Sequence, residues 1–131
     1  MPRIVYITIA LSLFVFSNTA YAQRDFSTVK IETIPVADNI NMLVGAGGNI
    51  GLFSGKEGVF MIDDQFAPLT PKILTAIKKI TPDPVRFLLN THWHFDHTGG
   101  NENMGKTGAT IISHDNVRKL MSAPQELKAF G

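Results

Sequence analysis

The chain has 131 residues, no cysteine, and a formal net charge of +1 from 12 basic and 11 acidic side chains. The absence of cysteine excludes disulfides, thiolate ligands and a cysteine nucleophile. A charge this balanced, with no basic run, gives no electrostatic case for nucleic acid.

The first 22 residues read as a secretory signal peptide. Arg3 supplies the positive start, and Ile4 to Phe16 form an apolar run broken by Thr8 and Ser12. Ala20-Tyr21-Ala22 has the small-x-small pattern of a cleavage site. A bilayer span takes about 20 residues, more than this run offers, and no later segment is apolar enough to try. The expected mature chain starts at Gln23, with no membrane contact after cleavage, and is exported to a bacterial periplasm or secreted. Roughly 109 residues remain, enough for one small domain with its own core.

Four closely spaced strands come next. Val29 to Ile34 alternates apolar and polar residues, as a half-buried strand does, and Pro35 is expected to end it. Ile40 to Val44 is a second strand, Asn49 to Phe53 a third and Val59 to Asp63 a fourth. Gly45-Ala46-Gly47-Gly48 and Ser54 to Gly58 form the turns between them. Strands joined in this way predict an antiparallel meander. The glycine cluster is no dinucleotide fingerprint, because Ile50 stands where its last glycine belongs and a strand follows instead of a helix.

A helix follows. Thr70 suits its N-cap and Pro71 its first position. Ile73, Leu74, Ile77 and Ile80 share one face, with Lys72, Lys78 and Lys79 facing water. Thr81-Pro82-Asp83-Pro84 stops it. Val85 to Asn90 is apolar on both faces apart from Arg86, which predicts an interior strand. Beyond it, Gly99 to Met104 opens a short helix, Thr110 to Ile112 is a strand, and Asp115 to Met121 a helix. Ser113 reads as that helix's N-cap and His114 as a residue of its first turn rather than a metal ligand.

Between the interior strand and the short helix lies His92-Trp93-His94-Phe95-Asp96-His97. Three of the chain's four histidines and a carboxylate fall within six residues. Imidazole nitrogen and carboxylate oxygen are the donors that suit zinc and neighbouring divalent metals. In extended chain His92 and His94 point the same way and can grip one ion. A turn after them, which Gly99-Gly100 favours, directs Asp96 and His97 to a second. Trp93 and Phe95 alternate away from the ligands and suit an apolar shell around them. The bland alternative is a metal-scavenging surface tract.

The segment Thr91 to Gly100 resembles the HxHxDH signature of the metallo-β-lactamase superfamily. Val59 to Asp63 is similar to that family's strand ending in an acidic residue, and Ala109 to His114 to its next strand. The resemblance implies an α/β (α+β) chain, a partial αββα sandwich. Residues 23–131 would supply its N-terminal half: antiparallel meander, helix, strand, metal loop, strand, helix. It implies a supporting role behind the ligands for Asp63, which could otherwise be a plain turn residue. It also implies that further ligands come from a second half, so that this chain is expected to be a truncated part of a longer enzyme.

The expected chemistry is metal-assisted hydrolysis. An open zinc lowers the pKa of its water to about 7. His92 and His94 would hold one ion, Asp96 and His97 another, and Asp96 would also handle a proton. Two zinc ions are expected in the complete enzyme, acting on a small molecule with an ester, lactone, thioester or amide bond. β-Lactam hydrolysis, an iron-dependent oxidation of persulfides, and a non-catalytic metal-binding fragment are the alternatives.

Overall fold

The computed structural model describes residues 25–124; the predicted signal segment over 1–22, residues 23–24 and residues 125–131 lie outside them. Six strands form one sheet in the order β1-β2-β3-β4-β5-β6. They are β1 (Glu32–Ala37), β2 (Ile40–Val44), β3 (Ile50–Gly55), β4 (Gly58–Ile62), β5 (Val85–Asn90) and β6 (Thr110–Ser113). The first four run antiparallel, as the glycine turns predict, and β4, β5 and β6 run parallel. The β4-to-β5 crossover carries helix α1 (Thr70–Ile80). The β5-to-β6 crossover carries α2 (Phe95–Thr98) and α3 (Asn101–Lys106), and α4 (Asp115–Met121) follows β6. Among the described residues no helix is long and apolar enough to cross a membrane.

One sheet face is covered. Leu43, Ile50, Leu52, Met61 and Leu88 pack with Ile73, Ala76 and Ile77 of α1 and Met104 of α3. Full burial of each large aliphatic side chain contributes roughly 1.5–3 kcal/mol, so this face holds the domain together. The opposite face is apolar but open: Ile40, Phe53, Phe60 and Phe87 lie in register across four strands, and Phe53 is 48% exposed. A helix layer on one sheet with a bare apolar second face is half of an αββα sandwich.

The structure departs from the sequence reading in three places here. The first strand begins at Glu32 rather than Val29 and continues through Pro35. Lys72, expected in water, explains the late start. Its ammonium donates to the carbonyls of Phe26, Ser27 and Val29 at 2.9, 2.7 and 2.7 Å, which ties that segment to α1 and takes its acceptors from the ladder. Pro35 is tolerated because β1 is an edge strand that can spare an N–H, and the register shifts beside it. Thr70 does not cap α1. A 3-10 turn at Ala67–Leu69 leads in, so Thr70 is already helical, and its hydroxyl accepts from Asn103 Nδ2 at 3.3 Å.

Candidate metal centre

Strand β5 ends at Asn90, and the chain enters the histidine segment above the edge where β4 also ends. Asn90 and Asn101 exchange amide hydrogen bonds of 3.0 and 2.8 Å, which pin the strand end to the start of α3. Thr91 to His94 run without regular structure, and Phe95–Thr98 make one helical turn. The expected bend is therefore helical and begins at Phe95, before the glycines. Thr98 closes it by donating its hydroxyl to His94 O at 3.1 Å.

This path brings His92 and His97 together with Asp63, while His94 and Asp96 lie beside them, outside the three-residue donor group among the described residues. Ring centroids of His92 and His97 are 4.0 Å apart, and those of His92 and His94 4.8 Å. Asp96 Oδ2 stands 3.6 Å from His97 Nε2. Donor atoms of Asp63, His92 and His97 lie within 4.8 Å of one another and could hold a metal ion. Asp63, however, is already engaged. Its Oδ1 accepts from Thr91 N at 2.8 Å, and its Oδ2 accepts from the Thr91 hydroxyl at 2.7 Å and from His97 Nδ1 at 2.8 Å. We read it as the group that holds His97 from behind, with His97 Nε2 left for a metal. His92 stays neutral at more acid pH than an ordinary histidine. Desolvation is the main cause, and repulsion from the His97 and His94 rings adds to it.

His114 stands apart from this cluster among the described residues. It is the N-cap of α4, its Nδ1 accepting from Asn116 N at 3.1 Å. The predicted cap, Ser113, is instead the last residue of β6. Trp93 sets its edge against His94 at 4.8 Å, and Phe95 packs on Phe66 at 5.6 Å. Phe95 remains 43% exposed, so it shields only one side of the loop.

Around Asp63, which the resemblance already singled out, Asp64, Gln65 and Gly48 escaped the sequence reading. Asp63 and Gln65 have φ of 59° and 58°, a left-handed conformation that costs non-glycine residues of order 1–3 kcal/mol and gathers at functional sites. The kink lets three consecutive residues serve the loop. Asp64 N donates to His97 O at 2.9 Å, and Asp64 Oδ1 accepts from Gly100 N at 3.0 Å. Gln65 Nε2 donates to Gly48 O at 2.6 Å. That last bond draws in the glycine turn, whose Gly48 amide donates to Asp96 O at 3.4 Å. A Cβ at Gly48 would overlap the His97 ring. The glycines predicted as a plain turn also form the floor of the site. A Gly-x-Gly-Gly run carries no sequence mark of that role.

Asp64 is fully buried, and its Oδ2 has no hydrogen-bond partner among the described residues. Burial pushes its carboxyl up to about 7, the Asp63 charge adds to the rise, and the Gly100 N–H opposes it. The folded state therefore holds this proton more tightly than the unfolded chain does. Stability from this group is complete below about pH 4 and is lost as pH rises through about 7. The metal-free chain is expected to lose urea resistance between pH 4.5 and 8, and Asp64→Asn to reduce that loss (pH values chosen to bracket the rise). Equal losses in both proteins would refute this.

The donor set fits a divalent metal: imidazole nitrogens, a carboxylate beside them and hydrogen-bonded supports behind. Comparison with known proteins agrees. The family model described as "Metallo-beta-lactamase superfamily" matches residues 43–128. Among solved structures, the chain is 29% identical, at TM-score 0.62, to a protein described as the first B3 metallo-beta-lactamase with an active site glutamic acid, covering 66% of this chain and 34% of that one. It is 28% identical, also at TM-score 0.62, to a subclass B3 metallo-beta-lactamase of Bradyrhizobium japonicum, covering 71% and 36%. A third, a subclass B3 metallo-beta-lactamase isolated from a soil metagenome library, is 25% identical at TM-score 0.65, covering 74% and 38%. The chain thus spans a little over a third of the length of these structures.

Proposed function

The chain belongs to the metallo-beta-lactamase superfamily, and on that footing we propose that the protein is an exported, zinc-dependent hydrolase of small molecules. The observation that carries this reading is the packing of the His92 ring against those of His97 and His94, at 4.0 and 4.8 Å, beside Asp96 at the end of an interior strand. His92 and His94 would hold one cation, and Asp96 and His97 a second. A zinc ion so held supplies a Lewis acid that makes water nucleophilic near neutral pH.

The chain's own residues do the rest. Asp63 and the Gly48 floor keep the His97 ring from turning away. Asp64 holds the loop at His97 O and Gly100 N. Asp96, half-buried and open on one side, orients the attacking water and takes its proton. No covalent intermediate is needed, which suits a chain without cysteine. A structural zinc takes four protein ligands and a catalytic one three, so two donors per ion leave room for ligands from elsewhere in a longer protein. Export is inferred from Arg3, the apolar run and Ala20-Tyr21-Ala22.

The bond cleaved is an ester, lactone, thioester or amide. The β-lactam amide is a second reading, favoured by the B3 metallo-beta-lactamases at 25–29% identity. The test is hydrolysis of a lactone, ester, thioester and β-lactam panel by the natural gene product, before chelation, after it, and with zinc restored. Activity lost on chelation and recovered with zinc is the expected result. Hydrolysis indifferent to chelator, or no hydrolysis of any class, would overturn the reading.

A further inference from the structure

We propose that the Thr91 hydroxyl is a tautomer-setting relay: it transmits the Asp63 carboxylate to His92, fixing that ring with its proton on Nδ1 and its lone pair on Nε2. The inference rests on the metal reading of the site above, but the geometry that carries it is a matter of proton accounting among four residues.

Asp63 sits among three donors. The Thr91 N–H, 2.8 Å from Oδ1, can only donate. The Thr91 hydroxyl donates to Oδ2 at 2.7 Å, and an ionised carboxylate only accepts. A hydroxyl has one proton, and Thr91 has spent it on Asp63. The same oxygen lies 3.0 Å from His92 Nδ1. For that contact to be a hydrogen bond the proton must come from the ring. A neutral imidazole has one N–H, so Nε2 keeps a lone pair. His97 reaches the same state without an intermediary, its Nδ1 lying 2.8 Å from Asp63 Oδ2.

One buried carboxylate therefore sets two rings, His97 directly and His92 through Thr91. Both then offer the same nitrogen, Nε2, to a metal. In water the neutral histidine side chain favours the opposite placement, with the proton on Nε2, so a ring released from Thr91 drifts to the form that cannot ligate through that atom. Groups that orient a ligating histidine are typically worth 10–100-fold in metal affinity. Thr91 is a positioning residue: it touches no reacting atom and acts through His92.

Long-range proton–nitrogen correlation spectra of the metal-free full chain, with its rings neutral, read the tautomers directly. The expected result is Nδ1–H at both His92 and His97 in the wild type. Thr91→Val, which keeps the shape and removes the hydroxyl, is expected to shift His92 toward Nε2–H and leave His97 unchanged; His97 thereby reports that the fold is intact. Thr91→Ser is expected to retain the wild-type pattern. Zinc affinity, read by competition with a chromophoric chelator, is expected to fall on the order of 10-fold in Thr91→Val and to stay near wild type in Thr91→Ser. A wild-type His92 already on Nε2–H, or a Thr91→Val spectrum identical to wild type, overturns the relay even if zinc is bound. A tautomer shift at His92 in a natural gene product that takes up no zinc supports the relay and overturns the metal reading instead.

Discussion

Zinc uptake is expected to fall by roughly 100-fold or more when His97 is replaced by alanine, since a lost ligand should cost at least as much as a lost support. His97 is the most constrained member of the cluster. Its Nδ1 is held 2.8 Å from Asp63 Oδ2, its ring lies on Gly48, and its Nε2 faces Asp96 Oδ2 at 3.6 Å. Alanine removes the donor nitrogen and leaves the Asp63 carboxylate one hydrogen bond short in a buried position. His114→Ala is the matched control. Its imidazole Nδ1 caps α4 through Asn116 N, so its loss should cost about 1 kcal/mol of helix stability and no zinc affinity. Chelator competition on both variants checks this. Equal affinities in His97→Ala and wild type would remove His97 from the metal site.

Gly99→Ala is expected to destabilise the fold by about 3 kcal/mol or more, at the upper end of overpacking effects. The added methyl would lie 2.5 Å from Phe95 O, 2.8 Å from Gln65 O and 3.1 Å from Phe66 Cα. All three are backbone atoms, so no side-chain rotation can relieve the clash. Relief requires moving either the helical turn that carries Asp96 and His97 or the left-handed kink at Asp63 and Gln65. Gly105→Ala gives the contrast. Nothing lies within 4 Å of a Cβ there, and alanine favours a helix over glycine by about 1 kcal/mol, so the variant should match or exceed wild type. Urea unfolding of the three proteins reads the difference. A Gly99→Ala midpoint at or above wild type would show that the helical turn and the kink are not packed as tightly as described.

The two variants differ in how far the sequence anticipates them. Gly105 is read from helix propensity alone. Gly99 is legible only as a turn-forming residue, because two of the three atoms that crowd it, from Gln65 and Phe66, come from a segment more than thirty positions earlier. The same division runs through the site. The candidate donors His92, His94, Asp96 and His97 stand out in the sequence because ligand chemistry needs particular side chains at a spacing the backbone can bend together. The meander, α1 and the interior strand were legible because period-2 and period-3.6 burial leave their marks locally. Helix caps and strand starts were less so. Lys72 reached back to three carbonyls and delayed β1, and a 3-10 turn before α1 took the cap position from Thr70. Both are tertiary events that local propensity does not register.

By itself, then, the order of residues determined the family and the elements that frame the histidine segment, since both are written in nearby side chains. Only the folded chain decided how Asp63, singled out already by the resemblance, and its neighbours meet the histidine loop. Asp63, Asp64 and Gln65 serve the loop through a backbone kink at the end of β4. Gly48 meets His97 because the β2–β3 turn closes over it. Thr91 lies between Asp63 and His92 because β4 and β5 end side by side. Hydrogen bonds depend on distance and direction to within a few tenths of an ångström, and only the tertiary fold places residues that far apart in the chain within such limits.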